Sequence, residues 1–128
     1  MSILRNILNR LMLKADSTAT TQTTAVIQAT DTNSGIALVP NGTGAITADI
    51  PDGTAVGGDV RGTNAVDLQM SRTTSANVAR GANTVIVGGY DNRTWDNYAV
   101  IVGGFTNSAR GQSSSIVGGQ NNSTIGLD

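Results

Sequence analysis

Val85-Ile-Val-Gly-Gly-Tyr-Asp-Asn92, Val100-Ile-Val-Gly-Gly-Phe-Thr-Asn107 and Ser115-Ile-Val-Gly-Gly-Gln-Asn-Asn122 are three copies of one phrase, each fifteen positions after the last. The glycine pairs Gly88-Gly89, Gly103-Gly104 and Gly118-Gly119 keep that period, and so do Asn92, Asn107 and Asn122. A second, weaker phrase runs in the same phase: Ala79-Arg80-Gly81, Thr94-Trp95-Asp96, Ala109-Arg110-Gly111 and Thr124-Ile125-Gly126, with Asp96 in place of the glycine. Two short β runs per period, separated by glycine turns, predict a parallel β-solenoid in which each coil pairs with the coils on either side. Alternation then puts Ile86, Ile101 and Ile116 in one inward column, and Val85, Val100, Val87, Val102 and Val117 on the outside. The asparagines are expected to stack as a ladder or to take left-handed turn positions. A three-rung roll with valine on its outside is poorly suited to water, so the pattern predicts that other copies cover those residues.

Composition points the same way. Aromatic residues make up 3% of the 128 residues, and all four of them (Tyr90, Trp95, Tyr98, Phe105) lie in the repeats. Large core residues are scarce, and a thin core needs disulfides, metals or oligomerisation to hold it. With no Cys and no His, disulfides and the commonest metal sites are excluded, which leaves oligomerisation. All nine acidic residues are Asp, a turn former rather than a helix former. A net charge of −1 without a basic stripe implies no nucleic-acid partner.

Outward from the repeats the signals change. Residues 3–13 carry an apolar stripe at helical spacing, with Ile3, Leu4, Ile7, Leu8 and Leu11 on it. So short a helix needs a cover, whether its own chain, symmetry mates or a docking partner, or a membrane interface. No stretch approaches the length of a membrane span, so no membrane insertion is expected. Ala15–Asp31 reads as an extended Thr-rich connector with a strand over 24–29. Ile36–Val39 and Ala45–Ile50 flank an Asn41-Gly42 turn and read as a β-hairpin. Gly58 lies two full periods before Gly88 and reads as part of a decayed unit, with 71–79 as an adaptor into the first coil. Where Trp95-Asp96 breaks the repeat, a bulge is expected. The organisation that follows is an N-terminal helix and connector over 1–30, a small β region over 31–70 and the roll over 71–128.

Catalytic chemistry finds no residues here. Without His there is no nucleophile–base pair of the serine- or cysteine-hydrolase kind. Asp91 and Asp96 are the only carboxylates in the repeats that offer an acid–base pair, and they read instead as solvated turn residues. The Gly-Gly units differ from calcium-binding nonapeptides in period and in their lack of Asp. No enzyme activity, cofactor or metal is expected. Tyr90, Trp95, Tyr98 and Phe105 are the candidate recognition residues, or else they fill space between chains.

The pattern Ser/Thr-x-Ile-x-Gly-Gly-x-x-Asn-x-Ala-x-Gly resembles the head repeats of trimeric autotransporter adhesins. It is also similar to Gly-Gly units of tail-fibre and tailspike proteins of bacterial viruses. Gly35-Ile-Ala-Leu-Val-Pro-Asn-Gly-Thr-Gly-Ala-Ile46, with Arg61-Gly-Thr-Asn-Ala-Val-Asp67, resembles the N-terminal region of such fibres. The resemblance implies a left-handed parallel β-roll wound from three chains, with Ile86, Ile101, Ile116 and the valines at 85, 87, 100, 102 and 117 as its core. An autotransporter would carry a secretion signal and a membrane anchor, which are not legible here, so the expectation leans to a virion. It is of a structural tail-fibre protein anchored to other tail or baseplate proteins through the 1–30 region, displaying the roll to a host glycan or protein. The rivals are a bacterial surface-adhesin fragment and an ice- or surface-binding solenoid. The latter needs a flat outward row, for which Thr84-Ala99-Ser114 and Thr94-Ala109-Thr124 are the candidates. Beyond the third unit only Leu127-Asp128 remain to cap the last rung, so a continuation or a covering subunit is expected there.

Overall fold

The computed structural model describes residue 32 and residues 35–126. The expected N-terminal helix and the connector after it lie outside the described residues. Among the described residues eight two-residue strands form two ladders. One contains β1 (Ile46–Thr47), β2 (Val66–Asp67), β3 (Val85–Ile86), β5 (Val100–Ile101) and β7 (Ser115–Ile116), in that order. The other contains β4 (Arg93–Thr94), β6 (Ser108–Ala109) and β8 (Ser123–Thr124). Every pairing is parallel. A third line of single bridges joins Ser71, Tyr90, Phe105 and Gln120. The chain is therefore a parallel β-solenoid, five rungs tall on its longest side.

The rungs are not evenly spaced along the sequence. Val85, Val100 and Ser115 keep the interval of the repeat, but the steps from Ile46 to Val66 and from Val66 to Val85 are longer by five and four positions. This corrects two expectations. Gly58 is not in phase with Gly88; the residue one rung below Gly88 is Gln69, because Asp67 pairs with Ile86. The proposed hairpin is also absent. Ile36–Val39 forms no strand, and Ile46–Thr47 pairs in parallel with the next coil instead of folding back. The Asn41 turn does form, closed by Gly44 N–H donating to Asn41 O at 3.2 Å. Yet Ile46 N–H donates to Ala65 O at 2.9 Å, so the alternation over 45–50 belongs to a solenoid rung. No bulge develops at Trp95-Asp96 either: Val85 pairs with Val100 before it and Arg93 with Ser108 beside it, both at the regular interval.

The extra residues of the long coils are confined to one place. Ser71 and Ala79 pair with Tyr90 and Thr94, so four residues are added between them. The loop of the preceding coil lies against this one, with Asp59 N–H donating to Ser75 O at 2.8 Å.

Strands of two residues demand sharp corners, and the chain makes them with left-handed residues. Asn83, Gly89 and Asp91 have φ of 56°, 90° and 60°; Tyr98, Gly104 and Thr106 have 61°, 96° and 54°; Ser113, Gly119 and Asn121 have 58°, 95° and 56°. Only the second corner requires glycine for space as well as for φ. A Cβ on Gly104 would overlap the Gly119 carbonyl and stand 2.6 Å from Asn107 Nδ2. The first glycine of each pair is different: around a Cβ on Gly88, Gly103 or Gly118 there is nothing within 4 Å.

Inside, Ile86, Ile101 and Ile116 stack as expected, with Ala79, Ala99 and Ala109 buried beside them. Asn92 and Asn107 are interior too, and each clamps the following coil. Asn92 Oδ1 accepts from Asn107 N–H at 3.0 Å, while Asn92 Nδ2 donates to Gly88 O at 3.0 Å and Gly104 O at 3.1 Å. Asn107 repeats the pattern with Asn122 N–H, Gly103 O and Gly119 O. In the longer coil below, Gln69 does this work. Its Oε1 accepts from Asn92 N–H at 2.6 Å, and its Nε2 donates to Asn92 O and Asn77 O. Asp67, in the same inward column as Ile86, is buried against Arg61 at 2.8 Å.

Two substitutions test this account. Asn107→Ala leaves the Asn122 N–H and the Gly103 carbonyl without their partner, while Gly119 O keeps Phe105 N–H, and should cost about 2 kcal/mol in urea unfolding, at about 1 kcal/mol per part-buried stranded group. A loss within error of zero would refute the clamp. Thr106→Asn, at an exposed corner where a β-branched residue is strained, should raise stability by about 1 kcal/mol in the same assay, and a loss of stability would contradict the strain.

Candidate functional site

The surfaces of the roll follow from the strand alternation. On the five-rung ladder the outward positions are Ile46, Val66, Val85, Val100 and Ser115 in one column and Ala48, Leu68, Val87, Val102 and Val117 in the next. The first column is half-buried down to Val100, and the second is open. Leu68 is 43% exposed, Val87 48%, Val102 47% and Val117 79%. With rungs about 4.8 Å apart, this apolar face runs about 19 Å along the axis. The stack Gly88, Gly103, Gly118 borders it directly, with no atom of the chain near the missing side chains. The sequence places the valines outward correctly. The structure also extends the face downward through Leu68 and Val66, which the fixed period alone does not reach.

The four aromatic residues do not form one cluster. Tyr90 and Phe105 stack face to face, with ring centroids 5.3 Å apart and planes 9° from parallel, on the line of bridges that follows the glycine pairs. Tyr98 stands at a left-handed corner, mostly exposed. Trp95 lies on the other ladder's face, where Arg93 and Arg80 place their guanidinium carbons 4.4 and 4.9 Å from its ring centroid. Arg110 follows Trp95 one coil later, since Trp95 N–H donates to Ala109 O. Burial, and then repulsion from the charges of Arg110 and Arg80, pull the Arg93 guanidinium below its ordinary value. This arginine row was missed in the sequence. Its signal was the Arg-Gly of the weaker phrase, at Arg80 and Arg110, one coil either side of Trp95.

The columns Thr84-Ala99 and Thr94-Ala109, candidates for an outward row, are buried. Alternation decides this: each lies on the inner side of its strand, beside Ile86, Ile101 and the asparagines. The candidate anchor residues Ile3, Leu4, Ile7, Leu8 and Leu11 lie outside the described residues. Among the described residues no group of three carboxylate-bearing side chains is placed to hold a metal ion.

Asp91 is not a solvated turn residue. It is buried, with Oδ1 accepting from Thr73 N–H and Asn77 Nδ2 at 2.6 Å each and Oδ2 accepting from the Thr73 hydroxyl at 2.5 Å. It thereby pins the 72–78 insertion to the first short coil. Burial alone would push its carboxyl up. The Thr73 hydroxyl and amide, the Asn77 amide and the Arg72 charge together outweigh this and hold it below the usual carboxylate value.

Comparison with family models, with curated proteins and with solved structures found no match.

Because the Asp91 carboxyl is depressed in the folded state, its contribution to stability is complete above the ordinary value of 3.8 and fades as pH falls through the folded value. Wild type should therefore lose thermal stability more steeply below pH 3.8 than Asp91→Asn, whose amide does not titrate over that range. Parallel acid melting curves for the two would remove Asp91 as the titrating tie.

Proposed function

We propose that this chain is a structural protein of a virus particle, a homotrimeric tail fibre or similar appendage. In this reading three rolls pack through the apolar face of the five-rung ladder, and the N-terminal region anchors the trimer to tail or baseplate proteins. The outer surfaces meet the host. The mechanism is rigid display and binding rather than catalysis.

One observation carries the assembly: Leu68, Val87, Val102 and Val117 stand exposed in a single outward column, bordered by glycines whose side-chain space is empty. Within one chain neither feature has a use. Gly88, Gly103 and Gly118 have no positive φ and no crowding, so their recurrence calls for a neighbour outside the chain. Close approach of another backbone is the ordinary reason for such a glycine. Covering a column of valines is the ordinary reason for association. The virion assignment rests on the resemblance of the Gly-Gly repeats and the 35–67 stretch to viral fibres. An adhesin fragment would share the assembly. The ice-binding reading loses its two candidate rows to the interior.

Light scattering at micromolar concentration should give three times the chain mass. Gly103→Leu, at a position where a Cβ has nothing of its own chain within 4 Å, should leave the roll folded by circular dichroism while lowering that mass. A well-folded wild-type monomer would sink the trimer, and an unchanged mass for Gly103→Leu would remove the glycine stack from the interface.

A further inference from the structure

We propose that the face of β4, β6 and β8 binds an anionic polysaccharide, with Arg80, Arg93 and Arg110 as its row of cations and Trp95 as the ring that sets them. Five arginines lie among the described residues. Arg61 and Arg72 are buried, and they make the two ion pairs found there, with Asp67 and Asp49. The other three all converge on this one face and take part in neither pair. Asp96 is next in sequence to Trp95, but its Oδ1 accepts from Asn97 N–H and it pairs with none of the three. Net charge does not explain the row, since the chain as a whole is at −1.

The geometry favours an extended ligand. Arg80, Trp95 and Arg110 occupy successive positions of one outward column, so the two arginines are two rung steps apart, about 9.6 Å. Arg93 shares the rung of Trp95, between them. A single oxyanion cannot reach both ends of this row, whereas sulfate, phosphate or carboxylate groups along a chain can. The guanidinium groups of Arg80 and Arg93 lean on the indole, which limits the freedom they lose on binding. Arg93 Nε is buried without a hydrogen-bond partner, and Arg93 also bears the repulsion of its two neighbours. An anion seated between them relieves that repulsion. Ser108 and Ser123 continue the column of Arg93 and add hydroxyl groups suited to a sugar chain. The single indole, already carrying two guanidinium groups, leaves no run of open rings on which nucleic-acid bases would stack.

From the proposed function this takes only that the outer surfaces of the roll bind a ligand; a chain that proves monomeric yet binds would keep this inference and lose the trimer. Trp95 is the only tryptophan, so its emission reports the site directly. Titration of the full chain with dextran sulfate, and with polygalacturonate as the carboxylate form, should change that emission saturably at about physiological ionic strength. Neutral dextran should not. Arg93→Gln and the exposed Arg110→Gln should each weaken binding by about fivefold with an unchanged circular dichroism spectrum. Arg110→Lys, which keeps the charge, should retain more of the binding than Arg110→Gln. Unchanged binding in both Arg→Gln variants, or no saturable change with either polymer, overturns the proposal. Tighter binding of oligothymidylate than of dextran sulfate would replace the polysaccharide with a nucleic acid. Inorganic sulfate matching the polymer at equal sulfate concentration would reduce the site to one for a small oxyanion, and either result overturns the assignment.

Discussion

A buried amide that bonds to the next coil is the interaction on which the rest of this roll depends. The interior is too narrow for large apolar side chains: its isoleucines form a single file, and alanine, threonine and asparagine fill the remainder. Hydrophobic burial alone is therefore modest. Asn92 and Asn107 each bring one oxygen to a backbone N–H of the next coil and two amide hydrogens to corner carbonyls of both coils. Satisfying buried polar groups in this way fixes the coil register far more sharply than apolar contact can. The second glycine of each pair follows from it. A side chain at Gly89 or Gly104 would occupy the space of the asparagine amide and of the next coil's carbonyl, so the Gly and the Asn three positions on are two halves of one device.

Where the coils lengthen, the same demands are met by other residues. Gln69 stands at the rung position of Gly88 and reaches with a longer side chain to the backbone that an asparagine serves elsewhere. The isoleucine file ends at Asp67, whose charge is matched by Arg61 and by the Gln69 and Ala79 amides. A pair buried this completely adds little net stability, but loss of one partner strands the other. The inserted loops are tied down by charge-assisted bonds to Arg72 and Asp91 together with the buried Val78.

The repeating half of the fold was legible because a fixed period carries its own alternation, and Ile86, Ile101 and Ile116 face inward as that alternation requires. The preceding half was not. Insertions of four and five residues break the period without breaking the rung register, so Val66 and Ile46 pair upward at spacings that no fixed repeat reveals. The Asn41 turn looked like a hairpin because a turn residue announces a bend and not the direction the chain takes after it. Asp91 looked solvated because its partners, Thr73 and Asn77, lie in the inserted loop of another coil. Of the outer surfaces, the valine column was readable from alternation. The arginine row was not, because its members come from different coils and meet only when stacked.

The amide clamp also has a direction. Between coils, the side chains of Asn92 and Asn107 reach to the coil that follows them in the sequence; only Asn122, in the third unit, turns its amide back, to Asn107 Oδ1 at 3.1 Å. A coil is thus incomplete, with an amide still hydrated, until the next one has wound on. On a ribosome, which delivers the chain from its N-terminus, the acceptor for each clamp arrives after the clamp itself. Winding in the order of synthesis seals one coil at a time. A coil formed out of turn has no amide beneath it to receive its backbone, so vectorial growth is written into the side chains that face inward.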